Sequence, residues 1–179
     1  MPTQDTPPKQ IFISYKRDQT TTKVAESLYK RVLVNLKAHG FAVPFFDQRS
    51  IDAGELWSEK IDQALARTTH FIALLNTDYW LSEQCQRELR EAVRLYEAAG
   101  SPRLLFVMAE KIDPGALEVS ADGRSASVKT PFPQIKHLGQ INFLGPYDAA
   151  GRLVPLACAD PVKLADQLYD LLQDIKRLD

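Results

Sequence analysis

Short apolar runs alternate along the chain with longer stretches whose apolar positions recur every three or four residues. Ile11-Phe12-Ile13 is β-branched and aromatic and predicts a buried strand. A polar Thr-rich loop follows. From about Thr22 to His39, Ala25, Leu28, Tyr29, Val32 and Leu36 mark an amphipathic helix that Gly40 stops. Phe41 to Phe46 predicts a second strand, near an edge or a bulge, because Pro44 donates no ladder hydrogen bond. The polar loop Asp47 to Gly54 leads into a helix with Trp57, Ile61, Ala64 and Leu65 on one face. Phe71 to Leu75 is a continuous apolar run, as in a strand covered on both faces. A helix follows from Ser82 to about Ala99, then a fourth strand at Leu104 to Met108. Residues 109 to 138 are irregular, with a short helical turn, an exposed insertion at about 118–131 and a weak hairpin signal at Asp122-Gly123. A fifth strand is expected at Gln140 to Leu144. A last helix opens with Asp160 as cap and Pro161 at its first position.

This alternation predicts a five-stranded parallel sheet with helices on both faces. Ligands of such sheets bind outside the C-terminal strand ends, where the strand order switches. The segments Ser14 to Asp18, Asp47 to Gly54, Asn76 to Ser82 and the loop after Met108 should line that cleft.

One carboxylate stands out. In the helix after the third strand, Ser82 is a good N-cap, and Cys85, Leu89, Ala92, Val93 and Tyr96 form the apolar stripe. Glu88 lies on or beside that stripe, away from the wet face of Arg87, Arg90, Glu91 and Arg94. It is either a boundary glutamate paired with a nearby arginine, or a group with a shifted pKa and a role.

Composition narrows the chemistry. At 179 residues, 1–9 are expected to be a disordered lead and 10–179 a single domain. A net charge of −1 makes no electrostatic case for nucleic acid or an anionic membrane. No apolar run approaches the roughly 18 residues of a membrane span. Two cysteines give neither a disulfide framework nor a zinc site, and a cytoplasmic location is the simplest expectation. There is no P-loop, no Gly-x-Gly-x-x-Gly turn and no Gly-x-Ser-x-Gly elbow. His39, His70 and His137 show no metal geometry. A phosphate-accepting receiver would need acidic residues after the first strand, where this chain has Lys16-Arg17 and then a single Asp18.

The residues Ile11-Phe12-Ile13-Ser14-Tyr15, Gly40-Phe41, Phe46-Asp47, Ile51-x-x-Gly54, Trp57-x-x-x-Ile61, Phe71-Ile72-x-Leu74-Leu75 and Ser82-x-x-Cys85-x-x-Glu88-Leu89 together resemble the Toll/interleukin-receptor (TIR) domain family. The resemblance covers residues 10 to about 95 and is loose from Glu110 onward. It implies a three-layer flavodoxin-like fold. It also implies one of two activities: cleavage of NAD at the nicotinamide–ribose bond, with NAD as substrate and no cofactor, or non-enzymatic assembly with partner TIR domains as a scaffold. Glu88 falls at the family's catalytic position. Tyr15, Lys16, Arg17, Asp47, Trp57, Ser82 and Cys85 fall where the substrate would bind, and Ile51, Ala53 and Gly54 belong to the loop that covers the site or docks on a neighbour. The resemblance further implies a role in cell defence and signalling, with a sensor domain or subunit elsewhere. The departure from the pattern is Gln84, where many bacterial relatives carry tryptophan. Trp80, eight residues before Glu88, is expected at the cleft rim.

Overall fold

The computed structural model describes residues 6–46, 54–111, 117–119, 126–128 and 142–178. The first strand, β1 (Ile11–Tyr15), is buried along its whole length, as its apolar composition requires. Its side chains alternate between the two faces of the sheet. Ile11, Ile13 and Tyr15 enter one core and Phe12 the other. Ser14 therefore shares the face of Phe12.

Helix α1 (Gln19–Asn35) starts three residues before the predicted boundary. Asp18 caps it, its carboxylate accepting from the Thr21 amide at 2.7 Å, so part of the Thr-rich loop is helix. The predicted helix also ends early: Lys37–His39 form a 3-10 turn, and Gly40 takes the left-handed conformation at φ 82°. The second strand is likewise shorter than predicted. Only Phe45–Phe46 (β2) pair with β1, after Pro44, while Phe41 makes an isolated parallel bridge with Lys9. Pairing of the backbone thus begins at Lys9, ahead of β1. β2 is an edge strand, the place expected for a segment carrying proline.

Helix α2 (Gly54–Ala66), β3 (His70–Leu75), a 3-10 turn (Thr77–Leu81), α3 (Glu83–Ala99) and β4 (Arg103–Met108) follow in the predicted order. Ser82 caps α3 through the Cys85 amide at 3.3 Å, and Gly100 ends it at φ 71°. The expected insertion contains an antiparallel hairpin, β5 (Leu117–Val119) with β6 (Ala126–Val128). The proposed Asp122-Gly123 turn and the bulk of the irregular segment lie outside the described residues. β7 (Asn142–Phe143) pairs with β4, and α4 (Pro161–Arg177) closes the chain, capped by Asp160.

All pairings in the main sheet are parallel, in the order β2-β1-β3-β4-β7. Helices α2 and α3 cover one face, α1 and α4 the other, which is the three-layer flavodoxin-like arrangement. The chain order reverses between β1 and β3, so the crevice beyond Tyr15 and Leu75 is where this architecture builds a ligand site.

His70 opens β3 and is buried, its ring 5.3 Å from that of Phe41. Burial, reinforced by the charges of Arg103 and Lys9, lowers its pKa to about 4. In the unfolded chain the ring protonates first, near 6.5. The stabilising difference is therefore complete above about pH 6.5 and is lost as pH falls toward 4, a contribution of about 3 kcal/mol at most. Urea midpoints measured from pH 7 to 4 should fall in the wild type and fall less in His70→Gln. Parallel profiles would contradict this.

Candidate functional site

The site is built where α3 crosses β1. Cys85, Leu89, Ala92 and Val93 bury their side chains against the sheet, and Glu88 goes in with them, only 7% exposed. A carboxylate there requires donors. Ser14, directed to the same face by the alternation of β1, supplies one: its hydroxyl donates to Glu88 Oε2 at 2.6 Å. Gln84, one turn earlier on α3, donates its amide to Oε1 at 3.0 Å. The Tyr79 hydroxyl, on the 3-10 turn after β3, lies 2.9 Å from Ser14 Oγ.

The pairing with arginine considered from the sequence is not formed. Arg87 bridges to Asp62 of α2 at 2.9 Å, with both side chains substantially exposed, an ion pair of small energetic weight. Among the described residues no ion pair joins Glu88 to a lysine or arginine. Burial raises the Glu88 pKa, and the Ser14 and Gln84 hydrogen bonds, then the charges of Arg87 and Arg17, oppose it. Cys85 is pushed up to about 12, mainly by burial, so its thiol stays protonated and is no nucleophile.

Glu88 opens on a cleft of about 220 Å³. Of the residues expected there, Tyr15, Lys16 and Arg17 line it from the end of β1, and Ser82 and Cys85 from the start of α3. Phe12, Ile13 and Phe45 add apolar lining, and Gln84 completes it. Asp47, Ile51 and Ala53 lie outside the described residues. Gly54 begins α2, and Trp57 is the fourth residue of that helix. Trp80 is a correction. It is 6% exposed, packs edge-on against Tyr79 at 5.3 Å, belongs to the core and does not line the cleft.

Three residues were given no role at the carboxylate by the sequence. Gln84 appeared only as a departure from a motif, yet it bonds the carboxylate. Ser14 was detectable as the one polar residue in a strand buried on both faces. Tyr79 carried no sequence signal.

A larger cavity of about 770 Å³ lies on the α1–α4 side, lined in part by Lys23, Glu110, Lys111, Cys158, Asp160 and Lys163. Asp160 is committed there to capping α4. The smaller cleft is the candidate site because it alone of the two holds a buried carboxylate with donors on both oxygens. Among the described residues, no group of three or more His, Cys, Asp or Glu is placed to hold a metal ion. No helix among them is long and apolar enough to cross a membrane.

A flavodoxin-like α/β domain with a buried glutamate at its switch-point cleft is the class defined by these features. The TIR domain family matches residues 11–138, and the chain belongs to that family. No curated protein matches it. Among solved structures it is similar to the TIR domains of the activated Roq1 resistosome directly recognizing the pathogen effector XopQ, at 16% identity and a TM-score of 0.46. That likeness covers 57% of this chain and 59% of the other, so the match spans about three fifths of the resistosome chain.

Proposed function

We propose that this TIR domain is an NAD glycohydrolase, cleaving the nicotinamide–ribose bond to release nicotinamide and ADP-ribose or a cyclic variant. The observation that carries this reading is Glu88: a buried carboxylate, bonded on both oxygens by neutral donors, opening on a cleft beside Lys16 and Arg17. NAD carries a cationic pyridinium that leaves as neutral nicotinamide and needs no proton; water then forms the new bond at the ribose C1′ and gives up one proton to solvent. One carboxylate is then sufficient, in contrast to the acid–base pair of O-glycoside cleavage. Each Glu88 oxygen keeps a second acceptor site for a ribose hydroxyl. The negative charge stabilises the oxocarbenium-like transition state, most effectively in a site from which water is excluded. Lys16 and Arg17 offset the pyrophosphate.

The cleft volume supports activation by assembly. It falls below the range of about 300–1,000 Å³ that encloses a drug-sized ligand. The cleft thus encloses only part of NAD, and a neighbouring TIR domain would supply the remaining contacts on assembly. Assembly under the control of a sensor, in a signalling or defence role, is the corresponding regulation.

The test is incubation of the purified chain with NAD, dilute and at high or crowded concentration, with nicotinamide release followed. Release that rises with concentration is expected. No release under either condition overturns the glycohydrolase reading and leaves assembly without catalysis. Gly54→Pro probes the loop. Proline is tolerated in the first turn of a helix but restricts the residue before it, here Ala53. The variant should fold with wild-type helicity yet lose concentration-dependent release. Unchanged release would remove the loop from the mechanism.

A further inference from the structure

We infer that Ser14 and Tyr79 are positioning residues: a one-way hydrogen-bond chain from Tyr79 through Ser14 holds Glu88 as an acceptor-only carboxylate facing the cleft. The inference rests on the function proposed for Glu88, and its first readout is independent of that function.

Counting protons sets the direction of the chain. Tyr79 is completely buried, and burial raises its pKa well above 10, so the phenol is neutral and has one proton to place. Its hydroxyl partner is Ser14 Oγ. Ser14 is also buried and carries one proton of its own. Were Ser14 to donate to Tyr79, the phenol proton would lose its acceptor and Glu88 Oε2 its donor, two buried losses at once. The arrangement that satisfies every group is Tyr79 O–H to Ser14 Oγ, and Ser14 O–H to Oε2. Gln84 Nε2, which can only donate, fills Oε1. A proton placed on Oε2 would face the Ser14 proton, and one placed on Oε1 would face the Gln84 amide. The network accommodates the carboxylate and disfavours the acid.

The chain also fixes geometry. Glu88 belongs to α3, Ser14 to β1 and Tyr79 to the turn after β3, so the carboxylate is held by three separate elements. Ser14 and Tyr79 lie on the protein side of the carboxylate. Neither Ser14 nor Tyr79 lines the cleft, so neither is assigned a contact with substrate. The ionisable groups around the carboxylate are Tyr15, Lys16 and Arg17 from the end of β1, Tyr79 from the turn, and Cys85 and Arg87 from α3. Of these, Arg17 and Arg87 are the cations that act on Glu88.

The experiment is a carbon-detected NMR titration of the Glu88 side-chain carboxyl in the full chain, without NAD, for wild type, Ser14→Ala, Ser14→Thr and Tyr79→Phe. A Glu88→Gln sample assigns the resonance. Ser14→Ala should raise the midpoint by about one pH unit, since it removes a donor to the charged form. Tyr79→Phe should raise it by less, because Ser14 remains, and Ser14→Thr should restore the wild-type midpoint. The acid limb of kcat/KM for nicotinamide release should move with each midpoint, and kcat for Ser14→Ala should fall roughly 10- to 100-fold with a smaller change in KM. A Ser14→Ala midpoint equal to wild type overturns the inference. If Ser14→Ala does not fold, Tyr79→Phe decides, and an unchanged midpoint there overturns it equally. Midpoints that shift as expected in a protein that releases no nicotinamide uphold the hydrogen-bond chain and reject the glycohydrolase reading.

Discussion

Glu88→Gln is expected to lower nicotinamide release by a factor of about 10² to 10³, the loss typical when one preorganised electrostatic group is removed from a transition state. The substitution changes almost no volume, so packing of α3 on β1 is kept. What changes is charge and hydrogen-bond polarity. The wild-type carboxylate accepts from Ser14 at one oxygen and from Gln84 at the other. An amide offers one oxygen and one NH2, so it can accept from only one of the two donors, and the other must reorient or lose its acceptor. The negative charge that would oppose the ribosyl cation is also gone. Burial holds the Glu88 pKa above its ordinary value, so the carboxylate form that the proposed chemistry requires is lost as pH falls through that raised pKa. The acid limb of the wild-type rate profile should therefore lie above about 4.5. The same shift bears on stability with a definite sign. The folded state binds this proton more tightly than the unfolded state, so the contribution is favourable below the unfolded pKa and is lost as pH rises through the folded one. Above its folded pKa the fold thus carries a cost for keeping Glu88 charged, as expected of a residue held for function. Chromatographic measurement of nicotinamide, paired with thermal melts, checks both points. Release surviving in Glu88→Gln would remove this residue from the chemistry.

The backbone order was legible because its signals are local. Ser82 and Asp160 announce helix starts, Gly40 and Gly100 announce helix ends, and the apolar runs of β1, β3 and β4 suit strands buried on both faces. Glu88 was legible for the same reason, since helical spacing alone put it beside the stripe. The misreadings have equally physical causes. The start of α1 depends on Asp18 adopting an extended backbone and turning its carboxylate onto the Thr21 amide, which composition does not reveal in a loop of polar residues. Counting back along α3 puts Trp80 at the cleft rim, but Thr77–Leu81 is a 3-10 turn with about 3.0 residues per turn. Helical spacing does not cross that break, and the indole turns into the core. The Ser14–Glu88 bond joins residues 74 apart in sequence. Strand alternation gave the face of Ser14, and helix periodicity gave the face of Glu88. The register bringing the two together comes only from packing α3 on β1.

The sheet beside the cleft carries an aromatic stack, and Phe12→Ala should be the most destabilising single truncation near the site. Phe12 is 1% exposed and sits between two rings, 5.0 Å from Phe45 and 5.6 Å from Phe71, with interplanar angles of 24° and 15°. The register explains the stack: Phe12 is directly paired with Phe45 of β2 on one side and with Phe71 of β3 on the other. Removing the middle ring opens a cavity bordered by both neighbours. Buried Phe→Ala changes cost about 3–5 kcal/mol, against a total stability of about 5–15 kcal/mol for a domain. For a chain of this size that corresponds to a Tm lower by roughly 8–15 °C. The effect should not be purely global. β2 contributes only two residues to the sheet, both registered on β1, so it loses the ring that Phe45 packs against. Phe45 and Phe12 also wall the Glu88 cleft, so the cleft should loosen before the domain unfolds. Hydrogen exchange at Phe45 and Phe46 should accelerate in Phe12→Ala more than exchange in β4. Val34→Ala, at a position 80% exposed, is the control and should stay within about 0.5 kcal/mol of wild type. A Phe12→Ala midpoint shift no larger than that of Val34→Ala would mean that β1 and β3 hold the cleft without the stack, and the link from aromatic packing to the position of Glu88 would be lost.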